Sequence, residues 1–435
     1  MWLSERFARP ARINAIARER ARLEAQGAPP LDLTDSNPTR FGLCPEAAGL
    51  AVARAAGRAP IYEPDPRGPV RAREALAARF GGSPDDYWLT ASTSESYSWL
   101  FAILTDPGDT VAAPAPGYPL IEPLARLANL RTVDWRWHYL ATDGWVADPL
   151  SAAFAAQAGA RLFVLVNPGN PTGAYVDRAT AMNLAAAVPA ALAGRRPGGA
   201  PPALIADEVF NPFWLEDQPT SLAGLDQTAT FALGGLSKLI CAPQLKLGWI
   251  RLSGPARALP SLRAALDQVA DVFLSVSGPV ARALPDLLDL ADDAVARTRA
   301  RLSDNLTTAR AVFGAAPYGV RRCGGGWSVI VDLPRDLGDA GGDGDGDGGG
   351  RGDGDGDGDG GGHGAAGGCG LGGPDGPEGD DLAVWLLRRA GLAVHPGWFY
   401  DIVDRPSVVL SLLARPPEFA EGCRRLLAAL EEARR

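Results

Sequence analysis

The stretch "TFALGGLSKLICAPQLKLGW", residues 230–249, sets two lysines into an otherwise apolar, glycine-bordered run. Its first residues have the short apolar character of a buried strand, and Lys238 follows at once in a Gly/Ser-flanked turn. A lysine charge is expensive to desolvate unless it is compensated. Burial also lowers the amine's pKa, which makes it available as a nucleophile or base. Lys238 therefore marks chemistry rather than solubility, and Lys246 follows eight residues later before a Gly-Trp pair.

Working outward, the same pattern recurs. Apolar runs such as "TVAAPAP", "RLFVLVNP" and "PALIADEVF" alternate with Ala/Leu-rich helical stretches from about residue 69 to 300. Short apolar strands separated by longer helical patterns predict βαβ units and a mostly parallel sheet, hence an α/β fold. Residues 278–314 read as one long helix or a broken pair. A smaller α+β unit follows, with strands in "WSVIVDLP" and "SVVLSLLA" and helices in "DLAVWLLRRAGL" and the C-terminal segment. Residues 4–27 read as a polar helical arm. The Gly/Asp tract 338–379 interrupts the smaller unit and lacks the apolar residues that would offset its ordering entropy. It reads as a disordered surface insertion, and we assign it no function.

The bulk numbers exclude several classes. A net charge of −9 and a pI near 5.0 argue against a nucleic-acid surface. Five scattered cysteines, none spaced C-x-x-C, fit a reducing cytoplasm better than a disulfide framework. The three histidines lie far apart, leaving no zinc-like set and no metal site in our reading. No apolar leader and no membrane-spanning run is read.

Three segments besides the Lys238 turn carry chemistry. In "LTASTSESYSW" a strand ends at Thr90, and Ser92, Thr93 and Ser94 open a helix. Free N–H groups and hydroxyls at a helix start suit a phosphate, although serine there is also a good N-cap. "LVNPGNPTGAY" runs a strand into a rigid double turn that fixes the direction of Asn170. In "ALIADEVF", Asp207 sits at the C-terminal end of an apolar strand, where parallel sheets form their ligand crevice. One cofactor uses all four. Pyridoxal 5′-phosphate (PLP) brings an aldehyde for Lys238, a pyridine nitrogen for Asp207, a phenolic oxygen for Asn170, and a phosphate for Ser92, Thr93, Ser94, Ser237 and Lys246.

Together these segments resemble the class I/II aminotransferases of the fold-type I PLP enzymes. "NPGNPTG" is similar to that family's N-P-x-N-P-T-G, "ADEV" to its D-E-V-[YF], and "GLSKLICAPQLKLGW" to its S-x-S-K…R-x-G-W. "YEPDPRG" resembles the segment whose tyrosine, here Tyr62, reaches the neighbouring subunit's phosphate. "PGDTVAAPAPGYP" resembles the loop whose aromatic, here Tyr118, stacks on the cofactor, and "VHPGWFYD" the turn before the C-terminal helix.

The resemblance implies a three-layer α/β/α large domain over 46–296, a small domain over 297–435, and an N-terminal arm over 1–45 that joins it. It implies a cytoplasmic homodimer with shared sites, acting on an amino acid and a 2-oxo acid by a ping-pong mechanism through a Schiff base on Lys238. A PLP lyase or synthase uses the same residues and remains the alternative. A regulatory module ranks last, since only about 35 residues precede the motifs.

Departures from the family pattern bear on the substrate. Phe210 stands where a tyrosine hydroxyl usually meets the phenolic oxygen, and Lys246 replaces the phosphate arginine. The usual carboxylate-binding arginine slot, two residues before Ser411, is Val409. Arg40 in "DSNPTRFGL", or failing it Arg415, is the expected replacement. His395, Trp398, Phe399 and Tyr400 are expected to serve packing.

Overall fold

The computed structural model describes residues 2, 4–7, 14–57, 62–192, 202–335 and 382–435. The Gly/Asp tract 338–379 lies outside these residues.

The large sheet contains strands β1 (Tyr87–Thr90), β2 (Thr110–Ala115), β3 (Arg131–Leu140), β4 (Gly144–Ala147), β5 (Ala160–Val166), β6 (Ala203–Asp207), β7 (Thr230–Gly235) and β8 (Gly248–Ser253). Their order is β1-β8-β7-β6-β5-β2-β3-β4. The ladders from β7 through β6, β5 and β2 to β3 are parallel. β8 runs antiparallel between β1 and β7, and β4 closes a hairpin on β3 at the far edge.

Central strands are apolar on both faces because both faces are covered. Along β5, Leu162 and Val164 enter one core while Phe163 and Leu165 enter another. Along β6, Ala203 and Ile205 join the first and Leu204 and Ala206 the second. Helices Thr93–Leu104 and Leu259–Phe273 cover the first face, and helices Pro149–Gln157 and Arg178–Leu192 the second. Each large aliphatic side chain sealed this way contributes about 1.5–3 kcal/mol. The result is a three-layer α/β/α arrangement, as the sequence leads one to expect.

The smaller unit holds β9 (Gly319–Val320), β10 (Ser328–Asp332), β11 (His395–Pro396) and β12 (Ser407–Ser411) in the antiparallel order β9-β10-β12-β11. Val329, Val331, Val408 and Leu410 pack under helices Leu382–Ala390 and Pro416–Ala433. Residues 278–314 form two helices, Gly278–Leu288 and Ala291–Phe313. The second links the units: Ala291 and Ala294 pack with the large one, Leu302, Leu306 and Phe313 with the small one.

The arm differs from the expected single helix. Among the described residues a short 3-10 turn covers Glu5–Phe7, and the α-helix runs only from Ala15, capped by Asn14, to Ala25. The chain then pairs Leu31–Asp32 with Leu392–Ala393, and Ser411 N–H donates to the Leu33 carbonyl at 2.7 Å. This anchors residues 34–40 to the small unit at the mouth of the Lys238 cavity. Among the described residues, no helix is long and apolar enough to cross a membrane.

Candidate active site

A cavity of 380 Å³ opens where the C-terminal ends of the parallel strands meet the small unit. Thr93, Tyr118, Asn170, Asp207, Phe210 and Lys238 all line it. Each follows or ends a strand of the large sheet: β1, β2, β5, β6, β6 and β7 in turn.

Lys238 lies in the short helix Leu236–Leu239 directly after β7. Burial lowers its pKa to about 8, with Cys241 and Asp207 opposing the shift. Its Nζ stands 4.5 Å from the Trp327 ring centre and 5.0 Å from that of Phe210, and the two rings meet edge-on at 5.3 Å. The amine thus lies against two aromatic faces, which attract its charged form while burial favours its neutral one.

Asp207 ends β6 and is buried. Burial raises its pKa, while the Val209 N–H, the Tyr97 hydroxyl and Lys238 pull it back down. Tyr97 Oη donates to Oδ2 at 3.0 Å and Val209 N–H to Oδ1 at 3.3 Å. A buried carboxylate so provided with donors is built to face a positive charge.

Register explains where an anion would sit. Thr90 pairs with Gly248, and Gly248 with Gly235, so the three form one row across β1, β8 and β7. Ser92, Lys246 and Ser237 each lie two residues beyond that row on the same sheet end. The row is tight: a Cβ on Gly248 would come within 3.0 Å of the Gly234 carbonyl and 3.2 Å of Thr90 Oγ1. Ser92 also caps the helix, accepting from Glu95 N–H at 3.2 Å, while Glu95 accepts from Ala91 N–H. The first-turn N–H groups of Thr93 and Ser94 lie at the helix start, which carries the positive end of its dipole.

The remaining expected residues are placed as follows. Tyr118 is half-exposed at the rim, 6.4 Å from the Tyr400 ring, and Tyr62 is exposed. Arg40 lines an adjoining cleft that also touches Lys238, and it pairs with Asp35 at 3.0 Å. Arg415 lies away from the cavity. It precedes the last helix, where Glu418 engages it at 3.1 Å, and its other amine reaches the Arg40 carbonyl at 3.4 Å.

Sequence reasoning missed part of the wall. His395, Phe399 and Tyr400, expected to serve packing, line the cavity together with Trp327, Ser328 and Val409. His395 Nδ1 lies 2.9 Å from Tyr400 Oη and its ring stacks on Phe399 at 5.3 Å. The available signal was the cluster "HPGWFY" next to a glycine turn, but its facing direction depends on strand pairing.

Lys238, Asp207 and Asn170, with Thr93 at a helix start, line one cavity and suit PLP's aldehyde, ring nitrogen, phenolic oxygen and phosphate in turn, whereas Ser92, Ser94, Ser237 and Lys246 are not among its described lining residues. The lining residues define a fold-type I PLP-binding architecture. The sequence profile of the family described as aminotransferase class I and II matches residues 31–332, and the chain belongs to that family. Its members use PLP.

Among curated relatives, alanine aminotransferase of Mycobacterium tuberculosis (strain H37Rv) is 28% identical over 285 residues, 61% of each chain. Glutamate-pyruvate aminotransferase AlaA of Escherichia coli K12 is 26% identical over 284 residues, 63% of this chain and 67% of that one. The match thus spans about three fifths of the mycobacterial relatives' length. The solved alanine aminotransferase of Pyrococcus furiosus superposes with a TM-score of 0.78 at 19% identity, over 99% of this chain and all of that one. An aspartate aminotransferase of Thermus thermophilus gives 0.75 at 20% identity, over 99% and 100%.

Proposed function

We propose that the protein is a PLP-dependent aminotransferase that moves an amino group from an amino acid to a 2-oxo acid in a ping-pong cycle. The observation that carries this reading is a lysine with a pKa near 8 sharing one cavity with a buried, hydrogen-bonded aspartate. When bound, PLP supplies an aldehyde and a pyridinium ring that withdraws electrons from the substrate's Cα.

Asp207 would hold the proton on the ring nitrogen. Asn170 would donate to the phenolic oxygen, to which Phe210, without a hydroxyl, would add no bond. Ser92, Thr93, Ser94, Ser237 and Lys246 would hold the phosphate, Lys246 as a point charge rather than a bidentate fork. Tyr118 would stack on the ring, and Tyr62 of one protomer would reach its partner's phosphate in a homodimer with shared sites. Arg40 meets the substrate carboxylate, favoured over Arg415 because it lines the cleft that touches Lys238. Lys238 Nζ would take the proton from the substrate's Cα and deliver it to the cofactor's C4′ carbon, so that the amino group stays on the cofactor. Five scattered cysteines, none spaced C-x-x-C, support a cytoplasmic location.

The test is a panel of single amino acids added to PLP-loaded protein, followed by absorbance and by assay of the released 2-oxo acid. The account predicts stoichiometric 2-oxo acid and loss of the visible cofactor band. Release of ammonia without an acceptor requirement would instead identify a lyase.

A further inference from the structure

Resting on the PLP reading, we infer that this site takes a monocarboxylic amino compound with an apolar or aromatic body, and discriminates against dicarboxylates. The small-unit wall carries the case. In the register of β10, β12 and β11, Ile330 stands opposite Val409 and Val409 opposite His395, forming one row. Ile330 and Val409 pack with Tyr400 and Phe399 in one cluster, and Val409, His395, Phe399 and Tyr400 all face the cavity.

This wall carries no net positive charge among the described residues. His395 is held below the ordinary histidine range by burial; from the arm, Asp32 pulls it up and Arg20 pushes it down. Those two neutralise each other in an ion pair of 2.8 Å. Arg321 in the same unit is buried and committed to Asp332 and Asp404. Lys238 is the one cation among the described lining residues, and PLP would occupy it.

A carboxylate on this wall would lose its hydration with no counter-charge to replace it, whereas an apolar group gains by leaving water. At the mouth, Arg40 keeps 65% of its side chain exposed and has a single acidic partner among the described residues, so it remains available to one anion. One anion at the mouth and a neutral body against the wall define the substrate class.

The test titrates the PLP-loaded protein with 3-phenylpropionate and with glutarate, neither of which can react, by calorimetry. Expected is binding of 3-phenylpropionate at least about tenfold tighter than glutarate, since each tenfold is about 1.4 kcal/mol. Arg40→Ala should weaken 3-phenylpropionate about tenfold, and Val409→Arg should reverse the preference. Equal or tighter glutarate binding by the wild type overturns the inference, whether or not Val409→Arg folds. So does failure of 3-phenylpropionate to bind. Prior titration with PLP separates the two levels: no lysine-bound cofactor overturns the aminotransferase reading along with the inference, whereas bound cofactor with glutarate preferred overturns the inference alone.

Discussion

The Tyr97 hydroxyl donates to Asp207 Oδ2 at 3.0 Å across two buried side chains, joining the helix Thr93–Leu104 to the end of β6. Burial favours the protonated acid at Asp207, and this donor is one of the groups that restore the carboxylate. Hydrogen bonds to charged groups contribute about 1.5–3 kcal/mol. Tyr97→Phe should therefore weaken PLP affinity about tenfold, and Asp207→Ala about a hundredfold or more, measured by equilibrium dialysis. Unchanged affinity in Asp207→Ala would remove the ring-nitrogen role.

Lys238 links pH to stability in the cofactor-free protein. Its folded pKa of about 8 lies below the ordinary 10.5, so the folded state resists the proton. Below pH 8 both states carry it and the folded state bears the whole cost. Between about 8 and 10.5 only the unfolded chain binds the proton, and stability rises with pH. Lys238→Met should stabilise the cofactor-free protein at pH 7 by about 2 kcal/mol, discounted because part of the side chain opens on the cavity. Denaturant titrations should show that gain shrinking as pH approaches 10.5.

Phe210 lies against the Lys238 amine without offering it or the cofactor a hydroxyl. Phe210→Tyr should supply a donor to the phenolic oxygen and lower the pH at which the bound cofactor's visible band changes by about one unit. A spectrophotometric titration checks it, and an unmoved midpoint would show that the hydroxyl does not reach.

Arg321 is buried, bonded to Asp332 at 2.8 Å and to both oxygens of Asp404 at 2.9 Å, with the Tyr139 and Trp145 rings over it. Arg321→Met leaves buried Asp332 with only the longer Arg405 contact at 3.7 Å and should cost about 3 kcal/mol in urea unfolding. Adding Asp332→Asn to that variant should recover part of the loss.

Much of this site was legible because its residues announce strand ends. Asp207 and Lys238 interrupt apolar runs, and Asn170 follows a strand into a Pro/Gly turn, so local sequence carries both the element and the position at the cavity. His395, Tyr400 and Trp327 were not legible as cavity residues. Trp327 and His395 lie on either side of the Gly/Asp tract, and they share a wall only through the pairing of β10, β11 and β12. A one-residue slip of β12 would turn Val409 into the core and Leu410 toward the cavity, and composition does not specify which register holds. The β3–β4 hairpin was equally silent, since β3 is largely exposed and neither strand shows a buried run. The arm's helix began later than its charge pattern suggested, at the Asn14 cap.

The central claim is that Lys238 captures the cofactor. Protein incubated with PLP, reduced with borohydride and digested should carry the cofactor's added mass on the peptide containing Lys238, and Lys238→Ala should carry none. The label on another lysine, or its persistence in Lys238→Ala, would contradict the account.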